Sequence, residues 1–126
     1  MNQMSMRNTV MIVNDDTDLL NLFKTALDQE KIETVIFTNP ALALEKIKAY
    51  PNQFSLVLIN YATQLKRSQK RFAKEVKAIN NQIRVVLTSG YNLDADDISK
   101  DGYDRFIQLP VKLSNLVSTV KEMLAT

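Results

Sequence analysis

With 126 residues, 45% hydrophobic and 24% charged, the chain is sized for one domain that buries a core of its own. It has no cysteine and no histidine, which excludes disulfides, thiolate metal sites, a histidine general base and a phosphohistidine relay through this chain. A net charge of +2 selects no class of partner.

The first apolar run, Thr9 to Val13, stops at the polar cluster Asn14-Asp15-Asp16. Leu19, Leu20, Phe23, Ala26 and Leu27 follow at helical spacing. Asp15 or Asp16 is the natural N-cap of that helix. The second run is Thr34 to Phe37. Asn39-Pro40 then reads as an N-cap followed by proline at the first helical position, and the helix continues to Tyr50-Pro51. The third run, Ser55 to Ile59, ends at Asn60. A helix is expected over about 64–80, with Leu65, Phe72, Val76 and Ile79 on one face. The fourth run, Ile83 to Leu87, ends at Thr88-Ser89-Gly90, and a short helix is expected over about 95–100. The fifth run, Arg105 to Gln108, ends at Leu109-Pro110. A last helix carries Leu113, Leu116, Val117, Val120 and Leu124.

Five apolar runs alternating with five helical stretches predict an α/β domain, a parallel sheet covered on both faces. No linker divides the chain, so a single domain is expected over 1–126, its core about 8–125. The longest apolar runs, about five residues, fall short of the roughly twenty a membrane span needs. Residues 1–7 lack a signal-peptide core, and the expectation is a cytoplasmic protein. In such sheets the functional crevice lies beyond the carboxyl ends of the strands. Those ends are Asn14-Asp15-Asp16, Asn60, Thr88-Ser89 and Leu109-Pro110.

VMIVNDDTDLL at 10–20 resembles the opening of a response-regulator receiver domain (CheY-like), a hydrophobic strand followed by acids. SLVLIN at 55–60 resembles the third strand, which ends in the phosphorylated aspartate. VVLTSGY at 85–91 resembles the fourth strand with its hydroxyl residue, and GYDRFIQLP at 102–110 the fifth with its Lys-Pro ending. The resemblance implies a flavodoxin-like, doubly wound five-stranded sheet in the order 2-1-3-4-5.

It also implies a phosphorylation site, and here the chain departs from the family. The nucleophile position is Asn60, whose amide nitrogen lone pair is delocalised and whose oxygen carries no full charge. The two acid positions are Asn14 and Asp15, so one acid is gone. The lysine position is Leu109. The hydroxyl position, Thr88, is kept, and Phe106 keeps the aromatic character of the switch position. Asp16 lies beside the pair; an alternative register takes Asp15-Asp16 as the acids, but the alignment of Val13 and of Asp18-Leu19-Leu20 speaks against it. Mg²⁺ prefers several charged oxygens, and only Asp15 and Asp16 are candidates, for weak binding at most. A buried lysine without acids to face is costly, so leucine is the consistent replacement. The site reads as neutralised as a set. A plainer reading of the same residues also stands: Asp15 and Asp16 as helix caps, Thr88 and Ser89 as partners of loop backbone.

Residues 60–80 depart furthest from the family. Lys66, Arg67, Lys70, Arg71, Lys74 and Lys77 fall mostly on one side of the expected helix. That face is either simply solvated or a surface for an acidic protein. Nucleic acid is not expected, since there is no glycine-rich phosphate loop and no aromatic platform beside it. Asp94, Asp96, Asp97, Asp101 and Asp104 form an opposing acidic stretch. In receivers the surface corresponding to about 94–125 serves dimers and partners, so a homodimer through it is one expectation. The resulting reading is a phosphorylation-independent pseudo-receiver, an interaction module in signal transduction with no cofactor and no enzymatic activity. Two alternatives remain at this stage. One is an atypical response regulator phosphorylated at another residue; the other is a small-ligand-binding flavodoxin-like domain.

Overall fold

The structure, a computed structural model, describes residues 8–60 and 66–125, with side chains in the third helix described from Arg71 onward. Strands and helices alternate along it. They are β1 (Thr9–Val13), α1 (Thr17–Gln29), β2 (Thr34–Phe37), α2 (Pro40–Ala49), β3 (Phe54–Asn60), α3 (Lys66–Ile79), β4 (Arg84–Ser89), α4 (Ala95–Lys100), β5 (Arg105–Gln108) and α5 (Leu113–Leu124). All strand pairs are parallel, and the sheet order is β2-β1-β3-β4-β5. This is the expected flavodoxin-like, CheY-type arrangement.

The sheet separates two apolar clusters. Met11, Val57, Val85 and Leu87 face Ala43 and Ile47 of α2, Phe72, Ala73 and Val76 of α3, and Ile98 of α4. Val10, Ile12, Leu56, Leu58 and Val86 face Leu20, Phe23 and Leu27 of α1 and Leu116 and Val120 of α5. Alternate residues of a strand point to opposite faces. Strands apolar at every position, such as β1, are therefore buried on both sides.

The helices begin where the sequence offers caps. Asp16 accepts from the Leu19 amide, Asn39 from the Ala41 and Leu42 amides, and Asp94 from the Asp96 and Asp97 amides. Two helices end in the same left-handed turn. After α4 the residue is Gly102 (φ +91), where the Tyr103 amide donates to Ile98 O. After α1 it is Lys31 (φ 61), where the Ile32 amide donates to Leu27 O. Glycine is usual at such a cap because it lacks Cβ, and without a glycine at 31 the turn carries no sequence signal.

Two strands differ from expectation at both ends. β3 begins at Phe54 and includes Asn60, and β4 begins at Arg84 and extends through Thr88 and Ser89. Polar residues continue the ladder because Thr88 pairs in register with Asn60 and Ser89 with Gln108. The helix expected from about 64 is described from Lys66; Leu65 lies outside the described residues.

Candidate functional site

The carboxyl ends of β1, β3 and β4 form one row. Val13 pairs with Ile59, and Asn60 pairs with Thr88. Ile12, Leu58 and Val86 belong to the cluster beneath α1 and α5, so alternation puts Asn14, Asn60 and Thr88 on that same side. Leu109 follows two residues after Ile107, the register partner of Thr88, and packs against the same cluster. Asn14, Asn60, Thr88 and Leu109, far apart in sequence, thus meet at one rim.

Asn60 and Thr88 are hydrogen-bonded to each other, and Asn14 is held by neighbouring backbone. Thr88 Oγ1 donates to Asn60 Oδ1 at 3.1 Å. The Asp16 amide donates to Asn14 Oδ1 at 2.9 Å, and the Asn14 amide donates to Phe37 O at 3.0 Å. Asn14 and Thr88 are both 3% exposed. Thr88 was expected to bind loop backbone; it binds the Asn60 side chain instead, because strand pairing sets the two side by side. Ser89 does hold loop backbone, its Oγ accepting from the Tyr91 amide at 2.9 Å. The Leu109 amide donates to Ser89 O at 2.7 Å, and the Leu109–Pro110 peptide is cis. Phe106 pairs with Leu87 and is half-buried against the α2–α4 cluster.

This rim is poor in the charged oxygens that Mg²⁺ prefers. Asp16 uses an oxygen to cap α1 and Asn14 contributes an amide oxygen already taken by a backbone donor. Asp15 is exposed, and among the described residues no three acids gather.

Of the expected basic face, Arg71 and Lys74 are exposed, whereas the side chains of Lys66, Arg67 and Lys70 lie outside the described residues. Lys77 is not part of an open face. Its ammonium donates to Asp104 Oδ2 at 2.6 Å and to Ile83 O at 3.0 Å. Asp104 Oδ2 also accepts from the Val85 amide at 2.8 Å, so this aspartate leaves the acidic stretch to pin β4 and α3 together. Sequence reasoning put these two residues in opposite surface patches; 27 positions apart, they carry no local signal of pairing. In the 94–125 surface, Arg105 pairs with Glu122 within the chain.

Tyr103 is buried beside α4, and burial, with the charge of Asp101 adding to it, pushes its phenol well above the ordinary value of 10.0. A raised folded-state value means that its contribution to stability is complete below about pH 10. Above that, the unfolded phenol ionises first and stability falls by about 1.4 kcal/mol per pH unit. Urea unfolding between pH 9 and pH 11 is expected to show this loss, and Tyr103→Phe to be flatter over the same range. Equal slopes in both proteins would refute it.

No family model matches the chain, and no curated protein matches it by sequence. Solved structures do match. A two-component response regulator from Clostridium difficile is 20% identical, with 94% of this chain and 97% of that one covered and a TM-score of 0.81. A response regulator from Thermotoga maritima is 19% identical over 96% of this chain and 100% of that one, with a TM-score of 0.82. A CheY-like receiver domain protein from Methanospirillum hungatei JF-1 is 23% identical over 94% of each chain, with a TM-score of 0.79. These likenesses establish the receiver-type fold, at identities that transfer no site. No helix among the described residues is long and apolar enough to cross a membrane.

Proposed function

We propose that this chain is a pseudo-receiver, a cytoplasmic signalling module that works by binding a protein partner and takes no phosphoryl group. The carrying observation is the lack of charge at four rim positions, Asn14, Asn60, Thr88 and Leu109. At the end of β3 stands an amide hydrogen-bonded to Thr88, and at the end of β5 a leucine packed on the core. Phosphoryl transfer to a receiver needs a carboxylate nucleophile, acids that hold Mg²⁺ and a cation that meets the incoming charge. Asn60, Asn14 and Leu109 supply none of the three. Asn60 and Thr88 bond each other and Asn14 accepts from the Asp16 amide, which favours a rim stable as it stands.

The test is exposure to acetyl phosphate, and separately to beryllofluoride, each with Mg²⁺. Intact mass is expected to stay constant, and the amide resonances of Asn60 and Thr88 to stay in place. Mg²⁺ alone is expected to bind no better than about millimolar, given at most the two carboxylates of Asp15 and Asp16. A gain of one phosphoryl mass, or tight Mg²⁺ binding by calorimetry, would overturn the reading and favour an atypical phosphoacceptor.

A further inference from the structure

The charge of this protein is concentrated on two neighbouring helices. The α3 segment 66–79 holds six lysines and arginines against one acid, Glu75. Residues 94–101, which include α4, hold four aspartates against one lysine. The rest of the chain balances, nine cations against nine acids. Lys77 is held by Asp104, so the remaining basic excess of α3 and the net −3 of 94–101 stand next to each other on a molecule that is otherwise close to neutral.

Both helices lie in one layer, since Phe72, Ala73 and Val76 of α3 and Ile98 of α4 enter the same cluster. Each starts at the carboxyl ends of the strands and returns to their amino ends, so the two run roughly parallel. The turn that follows α4 meets α3, where Gly102 lies against Ala73 and Lys74; a Cβ there would stand 3.2 Å from Lys74 Cγ. The charges of this face are not spent on each other. Arg71, Lys74 and Asp97 are exposed, and among the described residues no ion pair joins α3 to Asp94, Asp96, Asp97 or Asp101.

We infer that this face joins two copies of the chain, α3 of one lying over α4 of the other. A two-fold contact uses the same patch on both partners. For two parallel ridges of opposite charge, a two-fold axis running along the helices sets each basic ridge against the partner's acidic one. An axis across the helices would set like against like. The charge pattern thus selects one closed arrangement and makes it reciprocal, which a single basic helix awaiting a foreign partner would not need. An interface built on exposed charges is screened by salt. The inference does not depend on the state of the strand-end rim, and it places the contact on α3 and α4 and not across 94–125.

The experiment is sedimentation of the full chain. At about 50 mM salt a monomer–dimer equilibrium is expected, its dissociation constant rising at least about tenfold at about 500 mM. Arg71→Glu with Lys74→Glu is expected to give a monomer, as is Asp97→Lys with Asp101→Lys. Mixing the two is expected to restore a dimer, because the reversed α3 then faces the reversed α4 while the second contact keeps its wild-type charges. A second readout holds even if one reversal fails to fold. The chain has no cysteine, so a Lys74→Cys chain and an Asp97→Cys chain are expected to cross-link to each other far faster than either to itself. A wild-type monomer at about 0.5 mM and low salt would overturn the inference. So would a dimer indifferent to both reversals, or cross-linking without preference.

Discussion

Asp104→Ala is expected to destabilise the fold by about 2–3 kcal/mol, the scale for losing hydrogen bonds to a charged acceptor and leaving a donor unmet. One carboxylate oxygen holds two donors from different elements, the Val85 amide of β4 and the Lys77 ammonium of α3. The Asp104 amide in turn donates to Val85 O at 2.8 Å, so the side chain and backbone of one residue clamp the entry to β4. Asp104→Asn keeps an acceptor and is expected to cost about half as much. Lys77→Ala is expected to cost about 1 kcal/mol, because that bridge is partly exposed and screened. Urea denaturation of the three variants checks the order. If Asp104→Ala costs no more than a typical surface substitution, the clamp is not structural.

Leu109→Lys is the second change with a large expected effect, a loss of about 2 kcal/mol. Leu109 is half-buried and packs on the cluster beneath α1 and α5. Truncating a fully buried leucine costs about 2–5 kcal/mol, and a lysine retains part of that contact along its stem while lifting its ammonium toward water. With Asn14 and Asn60 at the rim, the new cation meets amides and no acid of the row. Thermal or urea unfolding checks the loss. An unchanged midpoint would mean that Leu109 adds nothing to the core.

The order of elements was legible because β1 to β4 hold apolar, largely β-branched runs and the longer helices carry apolar residues at helical spacing, while β5 and α4 are short and weakly marked. Asp15 or Asp16 and Asn39 announced two helix starts, whereas Asp94, read only as part of an acidic stretch, proved to cap α4. Long-range pairing was not legible. Thr88 and Ser89 look like a strand's end, and only their partners on β3 and β5 keep them in the ladder. Lys77 and Asp104 look like members of two surface patches, and only the packing of α3 beside the start of β5 shows them as one bridge. Lys31 holds a left-handed cap that a glycine would have signalled. The strand-end residues Asn14, Asn60, Thr88 and Leu109 could be named from the family resemblance. What the sequence could not show was that Thr88 spends its hydroxyl on Asn60 and that Asn14 folds back on Asp16.

The central claim is that these four residues form one pocket from which charge was removed as a set. The direct measurement is a double-mutant cycle between Asn60→Asp and Leu109→Lys. Asn60→Asp keeps an acceptor for the Thr88 hydroxyl but adds a carboxylate near Asp15, and is expected to be neutral or to cost about 1 kcal/mol. Leu109→Lys alone loses packing and gains an unpaired cation. Together the new carboxylate and the new ammonium face each other at the ends of β3 and β5. The expected coupling is favourable and above about 0.5 kcal/mol, the level at which residues in contact depart from additivity. Adding Asn14→Asp to that pair is then expected to raise Mg²⁺ affinity and permit slow phosphorylation by acetyl phosphate. Strict additivity of the two changes would contradict the account, since residues 60 and 109 would then share no pocket to neutralise.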